Sequence, residues 1–194
     1  MIDPIVPLPA HFRHRSSLHG QSHVARVMVH ALRLIEATGW EHEAARLWAA
    51  VYLHDLERTH DGKCERHGAA AVARWETQLP LQLHLMSGGI TEADYPAIAL
   101  AVEVHCLPNT DEPPRDHPNW PLVALLKDAD GLDRVRLGDL DTAQLRLPES
   151  LTMVAFAQEL FDATNGAIPE GEDHFAELTV AANEILSGPE PPRG

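Results

Sequence analysis

Apolar residues recur at helical spacing along most of the chain, and this periodicity limits the fold more than any other feature. The first stretch shows the i, i+3, i+4, i+7 pattern of an amphipathic helix at Val24, Val27, Met28, Ala31 and Ile35. No segment has the alternating pattern of a half-buried strand, and no glycine-rich phosphate loop is present. The sequence therefore predicts an all-α, single-domain helical bundle of roughly seven helices.

Breaks in the periodicity place the predicted helices and the limits of the domain. Residues 1–17 are expected to form an extended N-terminal arm, 18–187 the helical domain, and 188–194 a flexible C-terminal tail. The five prolines of 107–121 predict a rigid connection that forms a lid or rim. The helices are predicted over about 17–39, 41–58, 65–79, 91–105, 122–131, 151–163 and 175–186.

The charge balance restricts the partners. Asp and Glu total 29 against 15 Lys and Arg, which gives a formal net charge of −14. A body this acidic repels phosphate backbones, so we expect no nucleic acid polymer as a partner. A phosphate-bearing substrate would have to be small and held by local cations or a metal. The sequence leaves the oligomeric state open.

Targeting and redox signals point to the cytoplasm as the expected compartment. The N-terminus lacks a basic start followed by an apolar run, so a signal peptide is not expected. No stretch approaches the ~18 apolar residues that a membrane span needs. Cys64 and Cys106 form no C-x-x-C pair, and we expect them to be reduced thiols.

Histidines and aspartates fall at the ends of several predicted helices. The chain has 13 histidines, which invites a search for a metal site. The pair His54-Asp55 lies near the end of an apolar helix, where burial is costly unless both groups are hydrogen-bonded or bind a cation. His23 faces inward on the first helix, while His105 and Asp130 each close a helix before a break. Helix ends that converge at one rim of a bundle can place such ligands around a metal.

Four ordered segments of the chain resemble the HD-domain superfamily, in particular uncharacterised bacterial members. They are SLHGQSHVARV, YLHDLERTHDGKCERHG, VEVHCLP and LLKDADGLDRVRLGDLD. Their order is similar to the H…HD…D signature of that family, and the resemblance covers roughly 18–165. It implies an HD-type helical bundle and hydrolysis of phosphate esters, often of nucleotides. Some relatives are di-iron oxygenases.

The resemblance also implies a set of metal ligands. Residues matching His23, His54, Asp55 and Asp130 bind one metal in the family. Members with two metals use two further histidines, and His67 and His105 stand where those would be. His67 follows Asp55 so closely in the chain that the spacing favours a single metal, with the two histidines as candidates for a second metal or for the pocket.

A metal held in this way suits phosphate chemistry. A mixed His and carboxylate set favours Fe, Mn, Zn, Ni or Co, and such an ion lowers the pKa of bound water and polarises a phosphoryl oxygen. We expect Asp55 both to bind the metal and to orient the water, and Arg58 to be the main catalytic cation. Substrate binding is assigned by spacing to Arg26, Lys127 and Arg134, although each could equally be a solvated charge or a salt bridge.

His19 lies one turn before His23 and is a further candidate for substrate binding. It could equally support a metal ligand from behind or be structural.

The sequence thus predicts a metal-dependent phosphohydrolase that acts on a small phosphorylated compound, with a nucleotide as one candidate. One rival is a di-iron oxygenase on the same fold, which needs two irons and six protein ligands. The other is a non-catalytic metal or nucleotide sensor. Metal count separates the first two functions, and turnover separates the third.

Overall fold

The protein is described by a computed structural model that covers residues 5–78 and 90–188, and these residues fold into helices with no strand among them. The predicted all-α bundle is confirmed. None of the helices in these ranges has both the length and the apolar character needed to cross a membrane. The eight helices are α1 Gln21–Thr38, α2 Ala44–Leu53, α3 His67–Gln78, α4 Tyr95–Val104, α5 Trp120–Leu132, α6 Pro148–Thr152, α7 Val154–Thr164 and α8 His174–Ser187.

The predicted boundaries differ from the structure in several places: α2 ends at Leu53 rather than near residue 58, and the single helix predicted over 151–163 corresponds to two helices, α6 and α7. The expected stop of α5 at Gly131 was wrong: the helix continues through Leu132 and into a 3-10 turn, Asp133–Leu137. A glycine ends a helix when it adopts the left-handed conformation, as Gly138 does with φ 68°. The expected end of α3 at residues 79–80 and the tail beyond 188 lie outside the described residues.

Two apolar clusters hold the bundle together. The larger one lies between α1, α2, α4 and α5, where Met28, Leu53 and Ile98 are fully enclosed. The smaller one packs α7 and α8 against the outer face of α1 and contains Leu160 and Leu178. The shared helix α1 therefore contributes apolar side chains on two sides, which buries most of its length.

Helix α3 approaches α4 closely because its second residue is a glycine. A Cβ atom at Gly68 would lie 2.2 Å from the carbonyl oxygen of Val102, closer than real Cβ contacts allow. This contact places His67, the first residue of α3, against the C-terminal end of α4, where His105 lies.

The segments at the two edges of the bundle are tied down. In the expected N-terminal arm, Phe12 is buried and the backbone N–H of Arg13 donates to the carbonyl of Leu56 at 2.9 Å. In the proline-rich segment, Glu112 accepts hydrogen bonds from Lys127 and Arg146. Both segments therefore pack on the bundle, and the proline-rich one forms part of a cavity rim rather than a free lid.

His30 gives the fold a dependence on pH. The side chain projects from α1 and is fully buried against Phe156. Neither ring nitrogen has a hydrogen-bond partner among the described residues. Burial lowers the pKa of His30 to about 4, with nearby Arg26 and Arg33 acting in the same direction and Asp133 opposing them. In the unfolded chain His30 binds a proton near pH 6.5, whereas in the folded chain it does so only near pH 4. The free energy of unfolding therefore falls as the pH drops from 6.5 to about 4.

We expect His30→Leu to remove this loss. Between pH 7 and 5, unfolding by urea should show the wild type losing about 2 kcal/mol more stability than the variant. The comparison at each pH cancels the contribution of other titrating groups. Parallel stability curves for the two proteins would show that His30 gains a proton or a partner in the folded state.

Candidate metal centre

The candidate site lies where the C-terminal ends of three helices meet the beginnings of two others. His54 and His105 follow α2 and α4 directly, and Asp130 occupies the last turn of α5. His23 lies in the first turn of α1 and His67 begins α3. The three helix C-termini contribute partial negative charge and the two N-termini contribute partial positive charge, so the balance is modestly in favour of a cation.

Asp55 lies at the centre of the site, with each carboxylate oxygen facing a different pair of imidazoles. Its Oδ2 is 3.0 Å from His19 Nδ1 and 3.4 Å from His23 Nε2. Its Oδ1 is 3.0 Å from His67 Nε2 and 3.8 Å from His105 Nε2. This position allows one carboxylate to serve two neighbouring metal subsites.

Backbone carbonyls fix the tautomers of two of the imidazoles. His54 Nδ1 donates to the carbonyl of Val51 at 2.7 Å, and His105 Nδ1 donates to the carbonyl of Val102 at 2.6 Å. Each ring therefore directs the lone pair of its Nε2 into the cluster, as metal-binding histidines do. Burial also lowers the pKa of His54 to about 3, which keeps this ring neutral and ready to bind a cation.

A carboxylate behind His23 fixes the third ring. His23 Nδ1 hydrogen-bonds Asp133 Oδ2 at 2.7 Å, and Asp133 also accepts from Arg26 Nε at 2.5 Å. Burial would lower the pKa of His23, but its hydrogen bonds to Asp130, Asp133 and Asp55 outweigh burial and raise the pKa to about 9. A proton and a metal cation therefore compete for Nε2 of this ring.

The spacing of the ligand atoms fits a transition metal. Two ligands that each lie about 2.1 Å from one ion, at tetrahedral or octahedral angles, are about 3.0–3.4 Å apart. His23 Nε2 is 3.3 Å from His54 Nε2, 3.3 Å from Asp130 Oδ1 and 3.4 Å from Asp55 Oδ2. His23 Nε2 thus lies at ligand spacing from each of the other three residues expected to bind metal.

The structure also brings together the two histidines whose role the sequence left open. His67 Nε2 lies 2.9 Å from His105 Nε2 and 3.0 Å from Asp55 Oδ1. The sequence favoured a single metal because Asp55 and His67 are close in the chain. The segment between them turns back and α3 packs against α4. The short separation therefore still places His67 next to Asp55 Oδ1, on the side away from His23.

A cavity of about 590 Å³ opens over this cluster. Its walls carry more basic than acidic side chains, which contrasts with the net charge of −14 for the whole chain. The basic residues are Arg58, Lys63, Lys127, Arg134, Arg136 and Arg146, and the acidic ones are Asp55, Asp61, Asp130, Asp139 and Asp141.

Arg58 reaches the Oδ1 side of the cluster. Its Nη1 is 3.5 Å from Asp55 Oδ1 and 3.4 Å from His67 Nε2, and its Nη2 donates to the carbonyl of Gly62 at 2.9 Å. Its Nε is buried and has no hydrogen-bond partner. The guanidinium is thus held beside the candidate metal ligands Asp55 and His67, and its Nε–H donor is unused.

Two residues expected to bind substrate are used elsewhere. Arg26 is buried behind His23, paired with Asp133, and does not line the cavity. Lys127 lines the cavity, but its ammonium already bonds to the carbonyls of Val104 and Leu107 and to Glu112. Since an ammonium has three donors, Lys127 fastens the rim and has none free for substrate.

Arg134 and His19 remain in positions that a substrate can reach. Arg134 lines the cavity, is about half exposed and pairs with Asp139 on the surface. His19 Nδ1 lies between Asp55 Oδ2 at 3.0 Å and Arg136 Nη2 at 3.2 Å. His19 therefore belongs to the group of candidate metal ligands around Asp55.

Sequence reasoning missed Asp133 and Arg136. Asp133 is fully buried and orients His23, while Arg136 is held by the carbonyl of Leu18 and contacts His19. A signal for Asp133 was present, since it follows Asp130 by three residues and so shares its helix face.

We expect Asp133→Asn to weaken metal binding about 10- to 100-fold, the usual effect of losing a carboxylate behind a histidine ligand. Competition with a chromogenic chelator measures the affinity. Asp128 is the matched control, because it is equally buried on α5 but binds Leu147 and Ser150 instead. Asp128→Asn should lower stability and leave metal affinity unchanged; equal affinity losses in both variants would contradict the role of Asp133.

Comparison of the chain with models of known protein families, with curated proteins and with solved structures finds no significant match.

Proposed function

We propose that this protein is a metal-dependent phosphohydrolase of the HD-domain kind, acting on a small phosphorylated compound. One observation carries the proposal: His23 Nε2 lies at ligand spacing from His54, Asp55 and Asp130, beneath a cavity that arginine and lysine side chains help to line. A buried carboxylate is stabilised by a cation beside it, and the mixed donor set suits Fe, Mn, Zn, Ni or Co.

The residues of the site would have separate roles in hydrolysis. A divalent ion held there would lower the pKa of water and polarise a phosphoryl oxygen. Burial would raise the pKa of Asp55, but the charge and the hydrogen bonds of the surrounding imidazoles hold it well below its usual range. Asp55 is therefore ionised and can both hold the ion and orient the attacking water. Arg58 supplies positive charge where a phosphoryl group would develop negative charge.

The cavity indicates the class of substrate. A volume of about 590 Å³ accommodates a nucleotide-sized molecule. Because the chain as a whole repels anions, a cavity whose basic and acidic side chains nearly balance favours a small anionic ligand over a nucleic acid polymer.

A di-iron oxygenase is the second candidate, and the placement of His67 and His105 favours it. With these two histidines, the cluster contains six candidate ligands, Asp55 included, which is the number that two irons would require. The lining arginines count against it, since an uncharged substrate gains nothing from them. A sensor that binds without turnover is the remaining outcome.

Metal analysis and a substrate screen test the proposal together. Protein purified without chelator should contain at least one transition metal per chain, and it should hydrolyse members of a panel of nucleotides and sugar phosphates. His54→Ala should lose both properties. Oxygen consumption without phosphate release would establish the oxygenase, and a bound metal with neither activity would establish the sensor. Absence of any metal would refute both enzyme functions and the metal sensor, and would leave only a nucleotide sensor.

A further inference from the structure

We infer that Cys106 is a metal ligand and forms, with His67 and His105, a thiolate-containing second subsite. Asp55 Oδ1 completes this subsite on the side of the first metal. The inference rests on the proposed metal function and deepens it, because the two ions of the centre would then have different ligands.

The three side chains lie at one point between α3 and α4. Their ligand atoms, two imidazole nitrogens and the Cys106 sulfur, all lie within 4.8 Å of one another. A thiolate about 2.3 Å from a zinc-like ion would lie roughly 3.6 Å from a nitrogen ligand of the same ion.

Within the described residues, the side chains that contact His67 Nε2 are His105, Asp55 and Arg58, and the first two belong to the same proposed centre. His67 is 2 % exposed, and its Nδ1 has no hydrogen-bond partner. The Cys106 thiol makes a weak contact of 3.8 Å with the carbonyl of Glu103. His105 Nε2 keeps its lone pair because its Nδ1 donates to Val102.

Charge balance at the cluster calls for an anion at this position. The first subsite has two carboxylates, Asp55 and Asp130, beside its imidazoles. With an ion bound, the second subsite would have two uncharged imidazole ligands and a share of Asp55, with the Arg58 guanidinium 3.4 Å from His67. A divalent ion there would be poorly neutralised, and a thiolate ligand supplies the missing charge when the thiol releases its proton to solvent.

A thiolate also selects the metal. Sulfur ligands favour Zn, Fe and Co over Mg, Ca and Mn, whereas the nitrogen and oxygen atoms of the first subsite accept Mn as well. We therefore expect the chain to bind about two cobalt ions tightly but only about one manganese ion.

Cobalt(II) reports directly on the sulfur ligand. The full-length protein is freed of metal, kept reduced with a phosphine and titrated with Co²⁺ while the near-ultraviolet spectrum is recorded. A thiolate-to-cobalt charge-transfer band should grow as the second ion binds. Cys64 lines the same cavity and contacts His67 but lies outside the ligand group, so Cys64→Ser tests the other thiol near the site.

The variants decide the outcome. The band should persist in Cys64→Ser and vanish in Cys106→Ser, while Cys106→His should keep the second ion without the band. Persistence of the band in Cys106→Ser, its loss in Cys64→Ser, or binding of two ions without any band would overturn the thiolate ligand but leave the phosphohydrolase intact. A failure to bind any cobalt would overturn both, and metal analysis separates these results without an activity assay.

Discussion

Replacement of Asp55 by Ala should abolish both metal binding and hydrolysis. Asp55 contacts the His19 and His23 side of the cluster with one oxygen and His67 with the other, so its loss removes a ligand from both subsites. We expect metal content to fall to a small fraction of the wild-type value. We also expect kcat/KM for the best phosphate substrate to drop by about three orders of magnitude or more, because the same group orients the attacking water.

Glu57→Gln is the matched control for this experiment. Glu57 is also a buried carboxylate, two residues further along, but it pairs with Arg13 and Arg74 on the opposite side of the chain and does not line the main cavity. This variant should keep its metal and most of its activity. Full metal occupancy in Asp55→Ala would remove the basis for the proposed centre.

Arg58→Ala should lower phosphatase activity by about two to three orders of magnitude while the metal stays bound. The guanidinium lies beside Asp55 and His67 and can bind two phosphoryl oxygens at once, a contact that strengthens as charge develops in the transition state. Lys at this position should restore only part of the activity, since it lacks the planar two-point contact. The measurement is kcat/KM, with metal content determined in parallel.

Two further variants separate charge from local structure. Arg58 also holds the carbonyl of Gly62, so an added guanidinium salt should rescue Arg58→Ala in part if the missing charge is what matters. Arg66→Ala removes an exposed arginine from the same segment and should have little effect. Near wild-type activity in Arg58→Ala would transfer the phosphate-binding role to Arg134 or Arg136, which also line the cavity.

The sequence by itself determined the helical fold and the residues that stand at helix ends. Periodicity of 3.6 residues follows from local backbone geometry, so apolar spacing was enough to predict a bundle. The same reasoning placed His54, His105 and Asp130 at or near the ends of helices, where an inward face meets a break. Both findings depend on neighbours within one helix.

Only the tertiary structure decided which of these helix ends share a site. The close approach of Gly68 to Val102 places His67 beside His105. That contact cannot be predicted from the spacing of residues along the chain. In the same way, Arg26 and Lys127 are one turn from proposed ligands, yet packing commits them to Asp133 and to the rim. A residue's position on its own helix follows from sequence, whereas the partner it faces depends on how helices from distant parts of the chain pack together.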